Sequence, residues 1–188
     1  MGGLYAQLYA QERRENLLSL FLCSPVSGTG WQWVKTAMEI ARFNRKRSTL
    51  PEWLTLGKYT VQGLLGIDRA YQRFQTQFCL NCNKGYQLKD PVPMLVEYAR
   101  AKPTNRTNRP VLLHPGLRVL PAPGFPTTVT YGDNDIYGDS PKYVRKRYPT
   151  AEFFTIPESG HFSWLNNQKA FFNLLADHYP FRNSSRPD

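Results

Sequence analysis

The sequence predicts an α/β fold in which three parallel strands are connected by helices, with one long helical insertion after the first strand. Three observations support this prediction. A short, almost wholly apolar run lies near the N-terminus, a long stretch without such a run follows, and two strand–loop–helix units come after it. Continuous apolar runs are typical of strands buried on both faces of a parallel sheet. Repeated strand–loop–helix units imply parallel strands with right-handed crossovers.

The N-terminal segment predicts a helix followed by a buried strand. Residues 2–16 have polar side chains between apolar ones at helical spacing, the apolar ones being Leu4, Tyr5, Leu8 and Tyr9. The run LLSLFLCS that follows is short, apolar and closed by Pro25. We therefore expect a strand near residues 17–23.

The long middle stretch, residues 28–116, predicts a helical insertion. Helical patches such as 31–43 and 67–78 alternate with joints rich in Pro and Gly, and no run typical of a buried strand is present. Its many aromatic side chains are expected to form a small helical core, although some could line a ligand pocket. The segment 102–110, with prolines near both ends, is predicted to be a polar loop.

The C-terminal part predicts two further strands, at 127–131 and 151–156. Between them a helix is expected to begin at Ser140-Pro141, with the serine as N-cap and the proline at the first helical position. A final helix is predicted over 168–178, where phenylalanines and leucines supply the apolar face.

Two titratable residues follow these last two strands and are the candidate catalytic pair. Asp135 comes after the strand at 127–131, and His161 comes after the strand at 151–156. Functional groups of open parallel sheets gather at the carboxyl ends of the strands, so we expect the two side chains to touch. A carboxylate against an imidazole fixes the ring tautomer and stabilises the imidazolium, as in an acyl-transfer triad. Asp133 is a nearby competitor for the role of the acid.

Other polar side chains carry weaker functional signals. His114 and His178 are expected to be structural or solvated. Ser24 and Ser27 follow the first strand, but neither stands in a Gly-x-Ser-x-Gly turn, so neither is a credible nucleophile.

The two nearby cysteines do not predict a metal site. Cys79 and Cys82 have the spacing of half a zinc site, but no second pair of ligands stands nearby in the sequence. We interpret them as two half-buried thiols. Neither a metal nor a cofactor is expected.

The chain is strongly basic but its composition is that of a globular protein. It has 188 residues, a formal net charge of +10 and 41% hydrophobic residues. The basic clusters at 42–47 and 145–147 are short, and we interpret them as solvated helix faces. Binding of nucleic acid through the Arg-rich, aromatic middle stretch is an alternative from another class, and it is not expected.

The sequence also bears on location and assembly. It contains neither an apolar run of about 20 residues nor a basic-then-apolar leader pattern. We therefore expect a cytoplasmic protein without a membrane partner. The sequence does not predict the oligomeric state.

Three segments resemble those of a known superfamily. The segments TTVTYGDNDI and PESGHFSWLNNQKAFFNLL are similar to the acid and histidine segments of the α/β-hydrolases. Within that superfamily the chain most resembles the proline iminopeptidase-like branch, whose members carry a helical cap after the sixth strand. The N-terminal MGGLYAQLYAQERRENLLSLFLCSP resembles the segment that follows the nucleophile in an S-x-G-G motif.

The resemblance implies a partial α/β-hydrolase fold that comprises the last three parallel strands and a helical cap. Its implied divisions are 1–27 for the helix after the nucleophile and the sixth strand, 28–116 for the cap, 117–182 for the strands and helices carrying the acid and the histidine, and 183–188 for a tail.

The resemblance also implies an activity. The chain would belong to a serine hydrolase that cleaves esters or peptides, with a small molecule or a peptide as its substrate. Asp135 maps to the acid, His161 to the histidine, and the backbone N–H of Met1 to one oxyanion donor. The nucleophile would precede Met1, so the chain by itself is expected to be inactive. A non-catalytic α/β-hydrolase-like binding protein is the alternative.

Overall fold

Three parallel strands form the sheet, in the spatial order β1-β2-β3. The strands are β1 (Leu20–Cys23), β2 (Thr127–Gly132) and β3 (Glu152–Ile156). In the register, Leu22 pairs with Val129, and Val129 pairs in turn with Phe153. The computed structural model describes residues 2–84, 96–120 and 122–179. The predicted fold class and the three predicted parallel strands are confirmed.

The described residues contain eight α-helices in addition to the three strands. They are α1 (Gly2–Glu12), α2 (Trp31–Arg47), α3 (Leu50–Leu64), α4 (Asp68–Asn83), α5 (Ala101–Leu113), α6 (Ser140–Arg147), α7 (Ser163–Asn166) and α8 (Gln168–His178). Short 3₁₀ turns lie at Arg14–Asn16 and Val96–Tyr98. Helices α2 to α5, here called the helical segment, all lie between β1 and β2 in sequence. The described part of 28–116 contains no strand.

The central strand β2 is buried along its whole length because it has a neighbour on each edge and helices across its faces. Val129 is fully buried, as is Leu4 of α1. The same hydrophobic cluster includes Phe43 of α2 and Val111 of α5. The helical segment therefore shares a continuous core with the sheet.

The prediction that residues 102–110 form a polar loop is wrong, since they lie within α5. Pro103 falls in the first helical turn, where a missing N–H removes no intrahelical bond. The side chain of Asn105 donates to the carbonyls of Gly63 and Leu64, at 3.0 and 3.1 Å, and so satisfies acceptors at the end of α3. Tertiary contacts thus stabilise a helix that the local sequence disfavours.

Three element boundaries also differ from the prediction. The first helix ends at Glu12 rather than continuing through residue 16, and β1 begins at Leu20 rather than 17. Ser140 is the first residue of α6 and not its N-cap, a position that Asp139 occupies. The Ser140 hydroxyl instead donates to Glu39 of α2, at 2.9 Å, and so links two helices.

The basic cluster at 145–147 is not wholly solvated as predicted, because Arg147 is buried. Its guanidinium donates to the side-chain oxygens of Gln7 and Gln32 and to the carbonyl of Ser27, at 2.5, 2.8 and 2.7 Å. Burial lowers the pKa of this guanidinium from its ordinary value. The contacts join α6 to α1, to α2 and to the loop after β1.

Two further expectations concern membrane-spanning helices and the divisions of the chain. None of the helices in the described ranges is both long and apolar enough to cross a membrane. The divisions at 27, 116 and 182 stay predictions, and the predicted tail, 183–188, lies outside the described residues.

Candidate active site

The loops after β2 and β3 bring Asp135 and His161 into contact. The Nδ1 atom of His161 lies 3.1 Å from Oδ1 of Asp135. Asp135 has a side chain only 3% exposed, and His161 one that is 19% exposed. The predicted contact is therefore present, and it is shielded from water on the carboxylate side.

The carboxylate of Asp135 is fixed by two further donors. The hydroxyl of Ser24 donates to Oδ2 at 2.5 Å, and the backbone N–H of Tyr137 donates to Oδ1 at 3.3 Å. Ser24 has a φ of 45°, a left-handed conformation that is unusual for a serine. At this backbone turn, which ends β1, the Ser24 hydroxyl points to the carboxylate of Asp135.

Asp133, the competing acid, has a different position. Its carboxylate accepts hydrogen bonds from the backbone N–H groups of Glu158 and Ser159, at 2.9 and 3.0 Å. It therefore ties the turn after β2 to the loop after β3. Of the two aspartates, Asp135 is the one in contact with His161.

The loop that carries His161 packs directly against the end of β2. A Cβ atom on Gly132 would lie 2.8 Å from the carbonyl carbon of Ser159, and still closer to the carbonyl oxygens of Ser159 and Gly160. Only a glycine leaves room for this approach. The missing side chain of Gly132 thus lets the His161 loop reach Asp135.

Aromatic rings enclose the imidazole. The ring of Tyr137 meets that of His161 edge-on, with centroids 4.9 Å apart, and the ring of Phe162 lies at 5.4 Å. Burial raises the pKa of Tyr137, so its phenol stays neutral. These contacts restrict the ring of His161 to one orientation.

A cavity of about 260 Å³ lies beside His161. It is lined by His161 together with Gly2, Gly3, Leu4, Cys23, Ser24, Val26, Tyr137 and Trp164. The N-terminus of α1 therefore faces the same space as the imidazole. The first N–H groups of a helix lack intrahelical acceptors and carry partial positive charge. Met1, whose N–H the resemblance assigns to the oxyanion site, lies outside the described residues.

None of the nearby hydroxyl and thiol groups is hydrogen-bonded to the imidazole in the described residues. The Ser24 hydroxyl is bonded to Asp135, and the buried Ser27 is bonded to the hydroxyl of Ser140, at 2.8 Å. Cys23 lines the cavity, but burial raises the pKa of its thiol to about 11. A protonated thiol is a poor nucleophile.

The helical segment touches both loops that carry the pair. The Arg47 side chain donates to that of Asn134, one residue before the acid. Asn166 accepts from the N–H of Gly160 at 3.0 Å and donates to Asn83 at 3.4 Å. The end of α2 is therefore bonded to the loop that carries Asp135, and the end of α4 to Asn166 of α7, which in turn binds the loop that carries His161.

The remaining candidates make contacts elsewhere. His114 contacts Thr29 and the carbonyl of Pro115. His178 contacts the hydroxyl of Thr128 at 2.8 Å.

The cysteines on α4, predicted to be half-buried, are fully buried. Burial raises the pKa of Cys79 to about 11 and also raises that of Cys82. Such thiols are poor metal ligands, because a ligand must be a thiolate. In the described ranges no group of three or more His, Cys, Asp or Glu residues could hold a metal ion.

Sequence reasoning found the pair but missed Ser24 as a partner of the acid. One signal was available: Ser24 follows β1 immediately, so it stands at the same carboxyl edge of the sheet as Asp135 and His161. Tyr137 and Trp164 also line the cavity, and nothing in their spacing indicates it.

The fold is a partial fold of the α/β-hydrolase type, as its similarity to one solved structure shows. The chain is similar to VinJ, which has an α/β-hydrolase-type fold, with a TM-score of 0.58 and 16% identity. The match covers 95% of this chain and 62% of VinJ.

A second solved structure and two searches among known proteins give further findings. A marine microorganism esterase matches with a TM-score of 0.48 and 14% identity, over 94% of this chain and 66% of the esterase. The chain thus spans less than two thirds of the length of each structure. No protein-family model and no curated protein matches it.

Proposed function

We propose that this chain is the acid- and histidine-bearing part of a serine hydrolase that cleaves esters or amides of small molecules or peptides. The observation that carries the proposal is the contact between His161 and the buried Asp135, beside a cavity that the N-terminus of α1 also lines. In this proposal residues 28–116 form the cap over the site. The proline iminopeptidase-like branch is the finer assignment that the sequence resemblance favours.

Each group has a defined part in the proposed chemistry. With Nδ1–H held by Asp135, the Nε2 atom of His161 is the free base that takes the proton of an attacking hydroxyl. That proton then passes to the leaving alcohol or amine as the tetrahedral intermediate collapses. Asp135 stabilises the imidazolium formed in between, with Ser24 and the N–H of Tyr137 holding the carboxylate in place.

The hydroxyl itself is assigned to the residue before Met1. The reasons are the S-x-G-G resemblance and the position of Gly2 and Gly3 in the wall of the cavity that contains His161. The backbone N–H of Met1 is then one of the oxyanion donors. The chain alone is therefore expected to be inactive.

The test compares the 188-residue chain with a form extended at its N-terminus by the residues that its reading frame encodes upstream. We expect turnover of a p-nitrophenyl ester, and labelling by a fluorophosphonate probe, in the extended form alone. His161→Ala should lower turnover by a factor on the order of 10³ or more. His114→Ala, at an exposed histidine, is the control and should leave it unchanged.

Two results would count against the proposal. Labelling of the short form at Ser24 or Ser27, with ester turnover, would place the nucleophile within this chain. An extended form that carries the Gly-x-Ser turn, folds and neither turns over the ester nor reacts with the probe would favour the non-catalytic binding protein.

A further inference from the structure

A second, larger cavity lies within the helical segment. Its volume is about 720 Å³, within the range of roughly 300–1,000 Å³ typical of small-molecule sites. All four helices contribute to its wall, which includes Trp33 and Ile40 of α2, Leu56 of α3, Phe74 and Phe78 of α4, and Leu112 of α5. It shares no lining residue with the cavity beside His161.

Small residues keep this space open. Gly57 stands inside α3 and lines the cavity, and a Cβ atom there would meet nothing within 4 Å. Ala37 and Ala41 line it from α2. Gly57, Ala37 and Ala41 are themselves exposed, so the cavity is open to solvent, and a concave apolar surface that is open in this way is typical of a binding site. The combination of aromatic walls and open space indicates an apolar ligand.

The charges around the cavity indicate the chemistry of one end of that ligand. Arg109 of α5 is on the wall and is exposed, and among the described residues no carboxylate lines the cavity. Within the described ranges Arg109 has neither an ion pair nor a side-chain hydrogen bond. Three of the lining amides are already engaged: Asn44 donates to Ile40, Asn105 to Gly63 and Gln75 to Tyr71. The guanidinium is therefore available to an anion.

We propose that this cavity binds an amphipathic carboxylate, with its apolar body among the rings of the helical segment and its carboxylate against Arg109. A guanidinium matches a carboxylate because its parallel N–H groups can donate to both oxygens. A single arginine suits one carboxylate better than a more highly charged phosphate group. This binding is separate from the proposed hydrolysis and stands whether or not the chain is catalytic.

Decanoate and its neutral analogue decanol are the probes, titrated into the 188-residue chain. Trp33 and Trp53 line the cavity, so tryptophan fluorescence should report binding, with calorimetry as a second measurement. We expect saturable binding of decanoate. Arg109→Gln should weaken decanoate about three- to tenfold and leave decanol unchanged. The control Arg106→Gln, on the same helix but off the cavity wall, should change neither.

A second pair of variants tests the location. Gly57→Phe fills the cavity and also replaces a glycine within a helix by a better helix former, so the fold should persist. It should weaken decanoate and decanol at least tenfold, as should Ala41→Phe from the opposite wall. Circular dichroism verifies folding, and a variant that unfolds is replaced by the other.

Three outcomes would overturn the inference. The first is no saturable binding of decanoate. The second is decanoate binding that Arg109→Gln leaves unchanged, which would remove the carboxylate from the proposal. The third is binding that persists when folded Gly57→Phe or Ala41→Phe fills the cavity.

Discussion

Gly132 is the residue on which the geometry of the candidate site most directly depends. The backbone of Ser159 and Gly160 occupies the space that a side chain at this position would need. The neighbouring carboxylate of Asp133 holds the same loop by two backbone N–H groups. The contact between Asp135 and His161 is thus fixed by residues that take no part in it.

We predict that Gly132→Ala destabilises the chain by about 3 kcal/mol, because backbone must move to admit the methyl group. Urea unfolding measures the free energy of unfolding, and the imidazole NMR signals of His161 should shift as the loop moves. Gly138→Ala is the matched control, since a Cβ atom there meets nothing within 4 Å, and it should change stability by less than about 0.5 kcal/mol. Equal effects from the two substitutions would contradict the steric argument.

Sequence reasoning succeeded with some residues and failed with others for physical reasons. Asp135 and His161 could be found because the ends of parallel strands converge, which is a property of the fold. The sequence around Ser24 excludes a nucleophile elbow but does not predict its bond to the acid, because that bond depends on a left-handed backbone turn that the sequence does not show. Arg147 lies in a basic run, which predicts a solvated side chain, and nothing in the neighbouring residues indicates that it is buried.

At the scale of elements, α5 shows how tertiary contacts override local preference. Two prolines and several polar residues predicted a loop at 102–110, yet the segment is helical. Asn105 bonds to the end of α3, and Asp68 of α4 accepts from the N–H of Ala101 at the start of α5. Neighbouring helices supply the stabilisation that the sequence of α5 lacks.

The link between α2 and α6 has a pH dependence that can be predicted. Burial raises the pKa of Glu39 above its ordinary value of 4.5, and within the described part of the chain Oε1 of its carboxylate has no hydrogen-bond partner. The folded state therefore holds this proton more tightly than the unfolded state, so the stability decreases as pH rises above 4.5. Glu39→Gln should be more stable than the native chain at neutral pH, with the difference vanishing below pH 4.5.

Urea unfolding across this pH range provides the measurement, and Glu52→Gln provides a control of opposite sign. Glu52 accepts from the N–H of Thr49 in the capping box of α3, which lowers the pKa of its carboxyl. Its stabilisation is present at neutral pH and is lost as pH falls through the lowered pKa. Glu52→Gln should therefore be less stable at neutral pH and equal to the native chain in acid. If the stability of both variants, relative to the native chain, changed in the same direction with pH, the argument from burial would be refuted.

At the scale of the whole molecule, the sheet has an open edge at β1. In the described residues β1 pairs with β2 alone, so its other edge has unpaired N–H and C=O groups. Leu18, two residues before the strand, is 93% exposed. An apolar segment with an unpaired edge is a template for association between chains.

We predict that the 188-residue chain self-associates through this edge and that Leu18→Lys reduces the association. A charge beside an open strand edge disfavours pairing, whereas the fully exposed position should cost less than about 0.5 kcal/mol in stability. Light scattering against protein concentration is the measurement. Leu65→Lys, at another leucine that is 75% exposed but lies between α3 and α4, is the control and should reduce association less. Equal reductions would assign the association to general surface hydrophobicity.

The overall architecture could be predicted more completely than its details. The apolar run at 17–24 and the two strand–loop–helix units determine the sheet, because buried parallel strands require such runs. The packing of α2 to α5 could not be predicted, since it depends on which faces of four amphipathic helices meet. The cavity of about 720 Å³ follows from that packing, and the sequence indicates no more of it than that some aromatic residues could line a ligand pocket.

The hydrogen-bond partners of the buried Arg147 determine how this charge responds to dissolved salt. In the described residues no carboxylate neutralises this guanidinium, and its Nε atom has no partner. Amide and carbonyl oxygens of three separate segments surround the cation instead, much as the ring oxygens of a crown ether surround a metal ion. Dissolved salt has no ion pair to screen at such a site, so the cohesion between α1, α2 and α6 there is insensitive to ionic strength.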